Sequence, residues 1–261
     1  MMPAIKNAPL VEAIFEIRWG SKGQNSFEFS QDEQSLLPGK VDAFAAEAGF
    51  PLSEPIGAPA GPNNIGLPQR ISYRFRPGEN QYPCLQLGMG IFTVNQLESG
   101  YSWNSFLSSI KDGVKILLKA NPGRLARLPD SACLALRYQD AFYPSDEGCT
   151  SQAFIVKHFN VDASLPDNFL GDNRLNPSKS DLSFKISTDV KEPEGRITVF
   201  ITDAIISGKR GLLMETIVES PIGSFSLNSI SENHVTDWCE KAHQLQKHAF
   251  ETLIKPSAYK H

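Results

Sequence analysis

The feature that most constrains this chain is an order of local patterns that occurs twice: one strand, one helix, three strands and a long helix. Such a repeat implies two copies of one supersecondary unit sharing a core. The first copy opens at 9–19, where Val11, Ala13, Phe15, Ile17 and Trp19 alternate with Glu12, Ile14, Glu16 and Arg18. Period two over that length predicts a half-buried strand. A short helix follows at 39–48, with Val41, Phe44, Ala45 and Ala48 at helical spacing and Gly49 as its stop. The five prolines and three glycines of 51–68 then predict an irregular surface loop. Strands are expected at 70–76, 82–87 and 90–96, and Ser102 is placed to cap a helix whose stripe is Trp103, Phe106, Ile110, Val114, Leu117 and Leu118.

The second copy has a strand at 131–142, a weak helix at 152–159, a polar loop to 180, and strands at 182–188, 196–206 and 212–219. A helix at 231–254 closes it, with Ser229 and Glu232 at the spacing of a capping box. Two local alignments support the duplication. Phe15-Glu16-Ile17-Arg18-Trp19 matches Leu134-Ala135-Leu136-Arg137-Tyr138 at an offset of 119, and Trp103, Ile110, Val114, Leu117 and Leu118 match Trp238, Leu245, Ala249, Thr252 and Leu253 at 135. The longer polar loop absorbs the difference. The expectation is an α+β fold in which a curved antiparallel sheet carries long helices packed on one face. It forms a single pseudo-symmetric domain with halves at about 5–122 and 123–261, and Trp103 and Trp238 are buried where helix meets sheet.

With 261 residues and 41% hydrophobic content the chain can bury a substantial core. Its 25 basic and 29 acidic side chains give a net charge of −4, which disfavours nucleic acid as a partner. No segment has the roughly 18 to 20 continuous apolar residues of a membrane span. Cys84, Cys133, Cys149 and Cys239 form no CxxC pair, so reduced thiols and a cytoplasmic location are expected.

The run from Asn7 through Pro9, Val11, Glu12, Glu16, Ile17 and Arg18 to Trp19 resembles the opening of a sporadically distributed family of uncharacterised bacterial proteins of similar length. Asn95-Gln96, Trp103 with Phe106, Leu136-Arg137-Tyr138, and the final helix with His243 and Phe250 resemble its later landmarks. The resemblance implies a fold and no chemistry. Its patchy occurrence points toward mobile or defence-associated genes.

On the polar side of the first strand, Glu12, Glu16 and Arg18 share a face, and the repeat gives Arg137 the position of Arg18. Two guanidinium groups so related could clamp one anion between them, with Arg74 as a further cation. The competing reading is a closed ion-pair network with Glu12 and Glu16. A sharper variant resembles the triphosphate tunnel enzymes, but Ile14 interrupts their acidic series, and Glu12 and Glu16 are about 13 Å apart along a strand. Cys239 and His243 are an i, i+4 pair of zinc-ligand types, yet nothing nearby completes a tetrahedral set. Cys239 therefore reads as core and the histidines as helix surface. The 207–211 segment reads as a hairpin turn rather than a phosphate loop, because no helix follows it. The expected function is a non-catalytic binding or regulatory protein of the bacterial cytosol, without cofactor or metal, whose sheet face meets a protein partner or a small anion. The alternative is a phosphate- or nucleotide-handling enzyme or sensor using the same charged face.

Overall fold

The computed structural model describes residues 9–23, 26–27, 29, 35–56, 70–120, 132–161, 172–176, 181–227 and 229–259. Alternation makes β1, Leu10–Trp19, a strand as expected, and two short strands, β2 at Ser21–Gly23 and β3 at Ser26–Phe27, pair with each other beyond it. Helix α1, Leu37–Glu47, precedes β4, Leu52–Pro55. The strands β5 (Ile71–Arg76), β6 (Cys84–Gly88) and β7 (Ile91–Leu97) lead to α2, Trp103–Ala120. The second half supplies β8 (Ala132–Phe142), α3 (Ser151–His158), β9 (Ser183–Lys191), β10 (Glu194–Ile206), β11 (Lys209–Glu219) and α4 (Glu232–Leu253).

Two local expectations are corrected. The proline-rich segment is not wholly loop, since β4 pairs with β5 at Leu52–Arg76 and Glu54–Arg74. An edge strand tolerates prolines because one side of its backbone needs no partner; residues 57–69 lie outside the described ones. The cap of α4 is Ser231, whose hydroxyl accepts from the His234 N–H, rather than Ser229. The cap of α2 is as expected, with Ser102 Oγ accepting from Ser105 N–H at 3.2 Å.

Nine strands form one open antiparallel sheet in the order β4-β5-β6-β7-β1-β8-β11-β10-β9. The first strands of the two halves, β1 and β8, are neighbours at its middle, with Phe15 opposite Leu136 and Ile17 opposite Leu134. The odd residues of β1 and the even residues of β8 face the core, where Ala13, Phe15, Ile17, Trp19, Leu134 and Leu136 are all essentially inaccessible. Buried side chains of α1, α2 and α4 join that cluster, and those of α3 join a second one with Phe142, Val199, Ile201, Leu212 and Met214. Close approach at α2 depends on Gly113, because a Cβ there would lie 2.7 Å from Val94 Cγ2 and 3.2 Å from Phe92 Cε1. Among the described residues no helix is long and apolar enough to cross a membrane.

Candidate functional site

Strand parity turns Glu12, Ile14, Glu16 and Arg18 away from the core, and the register sets their neighbours. One row crosses the sheet as Glu54, Arg74, Gln86, Thr93, Glu16, Ala135, Glu219, Arg196 and Asp189. The adjacent row runs Asn95, Ile14, Arg137, Ile217, Thr198 and Ser187. Arg137 thus sits between two β-branched side chains, one strand away from Ile14.

Glu16, only 5% exposed, joins the two arginines. Arg18 Nε donates to Glu16 Oε2 at 2.6 Å and its Nη1 to Glu219 Oε1 at 2.9 Å. Arg137 Nε lies 3.3 Å from Glu16 Oε1, and its Nη1 donates to Glu215 Oε1 at 3.0 Å. Gln139 Nε2 also donates to Glu215. Burial works against the charge on Arg18, but Glu16 and Glu219 outweigh it and hold the guanidinium protonated. Glu12 lies one row further along and accepts from Asn95 Nδ2 at 2.8 Å.

Of the five residues singled out, Glu16, Arg18 and Arg137 form one contact group, with Glu12 two positions along the same strand face. Arg74 is not part of it. It faces Gln86 on β6, and β6 and β7 separate it from β1; at about 4.8 Å per strand it is about 14 Å away. Near the arginines, the four carboxylates of Glu12, Glu16, Glu215 and Glu219 accompany two guanidinium groups. The cluster is therefore acidic, and each arginine already has two carboxylate partners.

A second polar group lies on the core side, and the sequence reading did not assemble it. Tyr138 and Asp140 project there from β8, as does Thr216, directly across from Tyr138 on β11. The Tyr101 and Tyr138 hydroxyls share a 2.6 Å hydrogen bond, and Tyr138 Oη lies 3.0 Å from His243 Nδ1 on α4. The His243 ring stacks on Trp103 at 3.9 Å and 8°. Trp103, expected to be buried, is instead only half-buried, and its Nε1 donates to Glu240 Oε2 at 3.1 Å; Trp238 is buried as expected. Gln246 Nε2 donates to the Leu136 and Thr216 carbonyls at 2.7 and 2.8 Å, pinning α4 to the central strands.

Burial governs the electrostatics of this group. It pushes the Asp140 carboxyl up to about 7 and, with help from Lys247, brings the His243 imidazole down to about 4. Both tyrosine hydroxyls are raised by burial and stay protonated. Among the described residues Asp140, 5% exposed, has neither a hydrogen bond nor an ion pair, and Thr216 Oγ1 and Gln246 Oε1 are buried without partners. A buried carboxylate without a donor is costly, so this neighbourhood is built for a neutral acid or for an added donor. Two signals were readable. Tyr138 and Asp140 continue the inward parity of Leu134 and Leu136, and Gln246 sits on the stripe of Ala242 and Ala249.

The placement of His243 corrects the reading of the α4 histidines as helix surface: His234 and His248 are exposed, whereas His243 is engaged by Tyr138 and Trp103. Cys239 is fully buried, in the core as expected. Among the described residues, no three His, Cys, Asp or Glu side chains are grouped to hold a metal ion. Comparison with protein-family models, with curated proteins and with solved structures gave no match.

Proposed function

We propose that this is a binding or regulatory protein of internally duplicated build, whose helices cover one face of the sheet and whose other face receives a basic segment of a protein partner. The duplication is supported by the strand order, which reads the same outward from the β1/β8 pair as β7, β6, β5 on one side and β11, β10, β9 on the other. It is supported also by the register, since Glu16 and Ala135, equivalent at the offset of 119, face each other. The observation that carries the functional reading is the local acid excess around the two arginines on the face away from the helices. The carboxylates of Glu12, Glu16, Glu215 and Glu219 outnumber the guanidinium groups of Arg18 and Arg137 there, beside the half-buried Ile14 and Ile217. Mixed charge and apolar surface of this kind suits a protein interface, where complementary potential gives specificity.

A small anion is the second reading, favoured by the paired guanidinium groups, but it would have to displace Glu16. Fluorescence anisotropy with an oligolysine peptide and thermal shift with tripolyphosphate separate the two. On the first reading the peptide binds at low salt and loses at least tenfold in affinity in Glu215→Gln/Glu219→Gln, while tripolyphosphate has no effect. Stabilisation by tripolyphosphate that vanishes in Arg18→Gln/Arg137→Gln, with no peptide binding, would favour the anion instead. The absence of both responses would overturn the site altogether.

A further inference from the structure

Far from the sheet centre, the end of α3 meets the chain's last turn. Lys255 N–H donates to the His158 carbonyl at 2.8 Å, Asn160 N–H to the Leu253 carbonyl at 2.8 Å, and Phe159 bridges to Ile254. These bonds lay the short turn Pro256–Ala258 beside His158. The His158 side chain is 1% exposed and packs on the Phe154 ring at 4.4 Å. Its Nδ1 lies 2.9 Å from Ser257 Oγ and its Nε2 2.9 Å from Glu147 Oε2, while Ser257 itself is exposed.

The chemistry of Glu147 fixes the direction of the chain. Hydrogen bonds from Lys157, at 2.7 Å, and from His158 hold its carboxyl down at about 2, so it only accepts. The proton of a neutral imidazole must then sit on Nε2, which leaves the Nδ1 lone pair directed at the Ser257 hydroxyl. A hydroxyl open to solvent, a base within hydrogen-bond reach and a carboxylate orienting that base are the three parts of an activated nucleophile.

We propose that Ser257, His158 and Glu147 form a nucleophilic site that cleaves small acyl esters. Ser257 Oγ adds to the ester carbonyl carbon and its proton passes to His158 Nδ1. The tetrahedral adduct collapses by breaking the bond to the alkoxy oxygen, which takes the proton from His158 and leaves as the alcohol, with the acyl group on Ser257. Water then attacks the acyl-serine, giving its proton to Nδ1, and the departing Ser257 Oγ recovers it. The balance is ester plus water to carboxylic acid plus alcohol.

The test is labelling of the full chain with a fluorophosphonate probe, with the modified serine located by peptide mass spectrometry. Ser257 is expected to label at least about tenfold faster than the exposed Ser105, because only Ser257 has a base and an orienting carboxylate. Ser257→Ala should retain the parent's circular dichroism, with a slightly lower melting temperature because His158 Nδ1 loses its partner, and lose the label as well as 4-nitrophenyl acetate hydrolysis. Glu147→Gln keeps the side-chain shape but no longer enforces the Nε2 proton, a change that costs about four orders of magnitude in the serine-protease triad; here the label should slow at least tenfold in a folded protein. The proposal is overturned if Ser257 reacts no faster than Ser105, or if folded Glu147→Gln labels at the parental rate.

Discussion

Replacing Asp140 by asparagine should stabilise this protein at alkaline pH and leave it almost unchanged in acid. Asp140 is 5% exposed and has no donor among the described residues, and burial raises its carboxyl from 3.8 to about 7. Between those two values the folded chain holds a proton that the unfolded chain has released. Folding therefore takes up protons in this window, and stability falls as pH rises from about 4 to 7. The rise spans about three pH units, so at 1.36 kcal/mol per unit the ionised carboxylate costs about 4 kcal/mol above pH 7. That is a large part of the 5 to 15 kcal/mol that typically separates a folded domain from its unfolded chain. Asparagine carries no charge at any pH and fits the same space.

Urea unfolding of parent and Asp140→Asn at pH 4 and pH 8.5 measures the effect. The informative quantity is the difference between the two proteins, because every other titrating group cancels in it. It should be small at pH 4 and grow to as much as about 4 kcal/mol in favour of the variant at pH 8.5. A difference that stays flat with pH would show that the carboxylate finds a donor in the folded protein, and the reasoning from burial would fail. A variant less stable at both pH values would show instead that Asp140 holds structure in its charged form.

Three further outcomes follow from the same packing. His243 sits at about 4 in the folded chain against an ordinary 6.5, so the unfolded chain takes up its proton first and stability falls as pH drops from 6.5 to 4; His243→Gln should remove that loss, seen as a flatter acid limb in melting temperature. Gly113→Ala should lower the urea midpoint despite alanine's better helix propensity of about 1 kcal/mol, since the new Cβ would overlap Val94 Cγ2 at 2.7 Å and such overpacking costs about 1 to 3 kcal/mol. A raised midpoint would mean that α2 shifts away freely. Trp238→Ala, at a side chain 7% exposed, should cost about 3 to 5 kcal/mol, and a melting temperature within a degree or two of the parent would contradict its place in the core.

What the sequence made legible is what depends on short-range periodicity. The parity of β1 and β8 turned Phe15, Ile17, Leu134 and Leu136 one way and Glu16, Arg18 and Arg137 the other, and the structure keeps that division. Arg74 was grouped with the arginines because it too alternates with apolar neighbours, but parity says nothing about strand order, and β6 and β7 intervene. The strand β4 was hidden because its four residues, preceded by Pro51 and ending on Pro55, form a strand only through pairing with β5. Glu215 and Glu219, the second partners of the two arginines, were out of reach for the same reason. Which strand lies beside β8 is decided by contacts between residues some 80 positions apart.

The buried polar groups are harder to read, and they tie the two faces together. Gln246 spans from α4 to the carbonyls of Leu136 and Thr216, which precede Arg137 and follow Glu215 in their strands. One amide thereby bonds to both strands at the level where Arg137 and Glu215 pair on the other side. A strand cannot shift by one residue without turning every side chain to the opposite face. The amide on the core side and the ion pair on the far side thus resist the same slip. Among the described strands, those of residues 10–97 meet those of residues 132–219 through β1 and β8, so the geometry of the charged face depends on the seating of α4, and through Tyr138 and His243 on that of α2 as well.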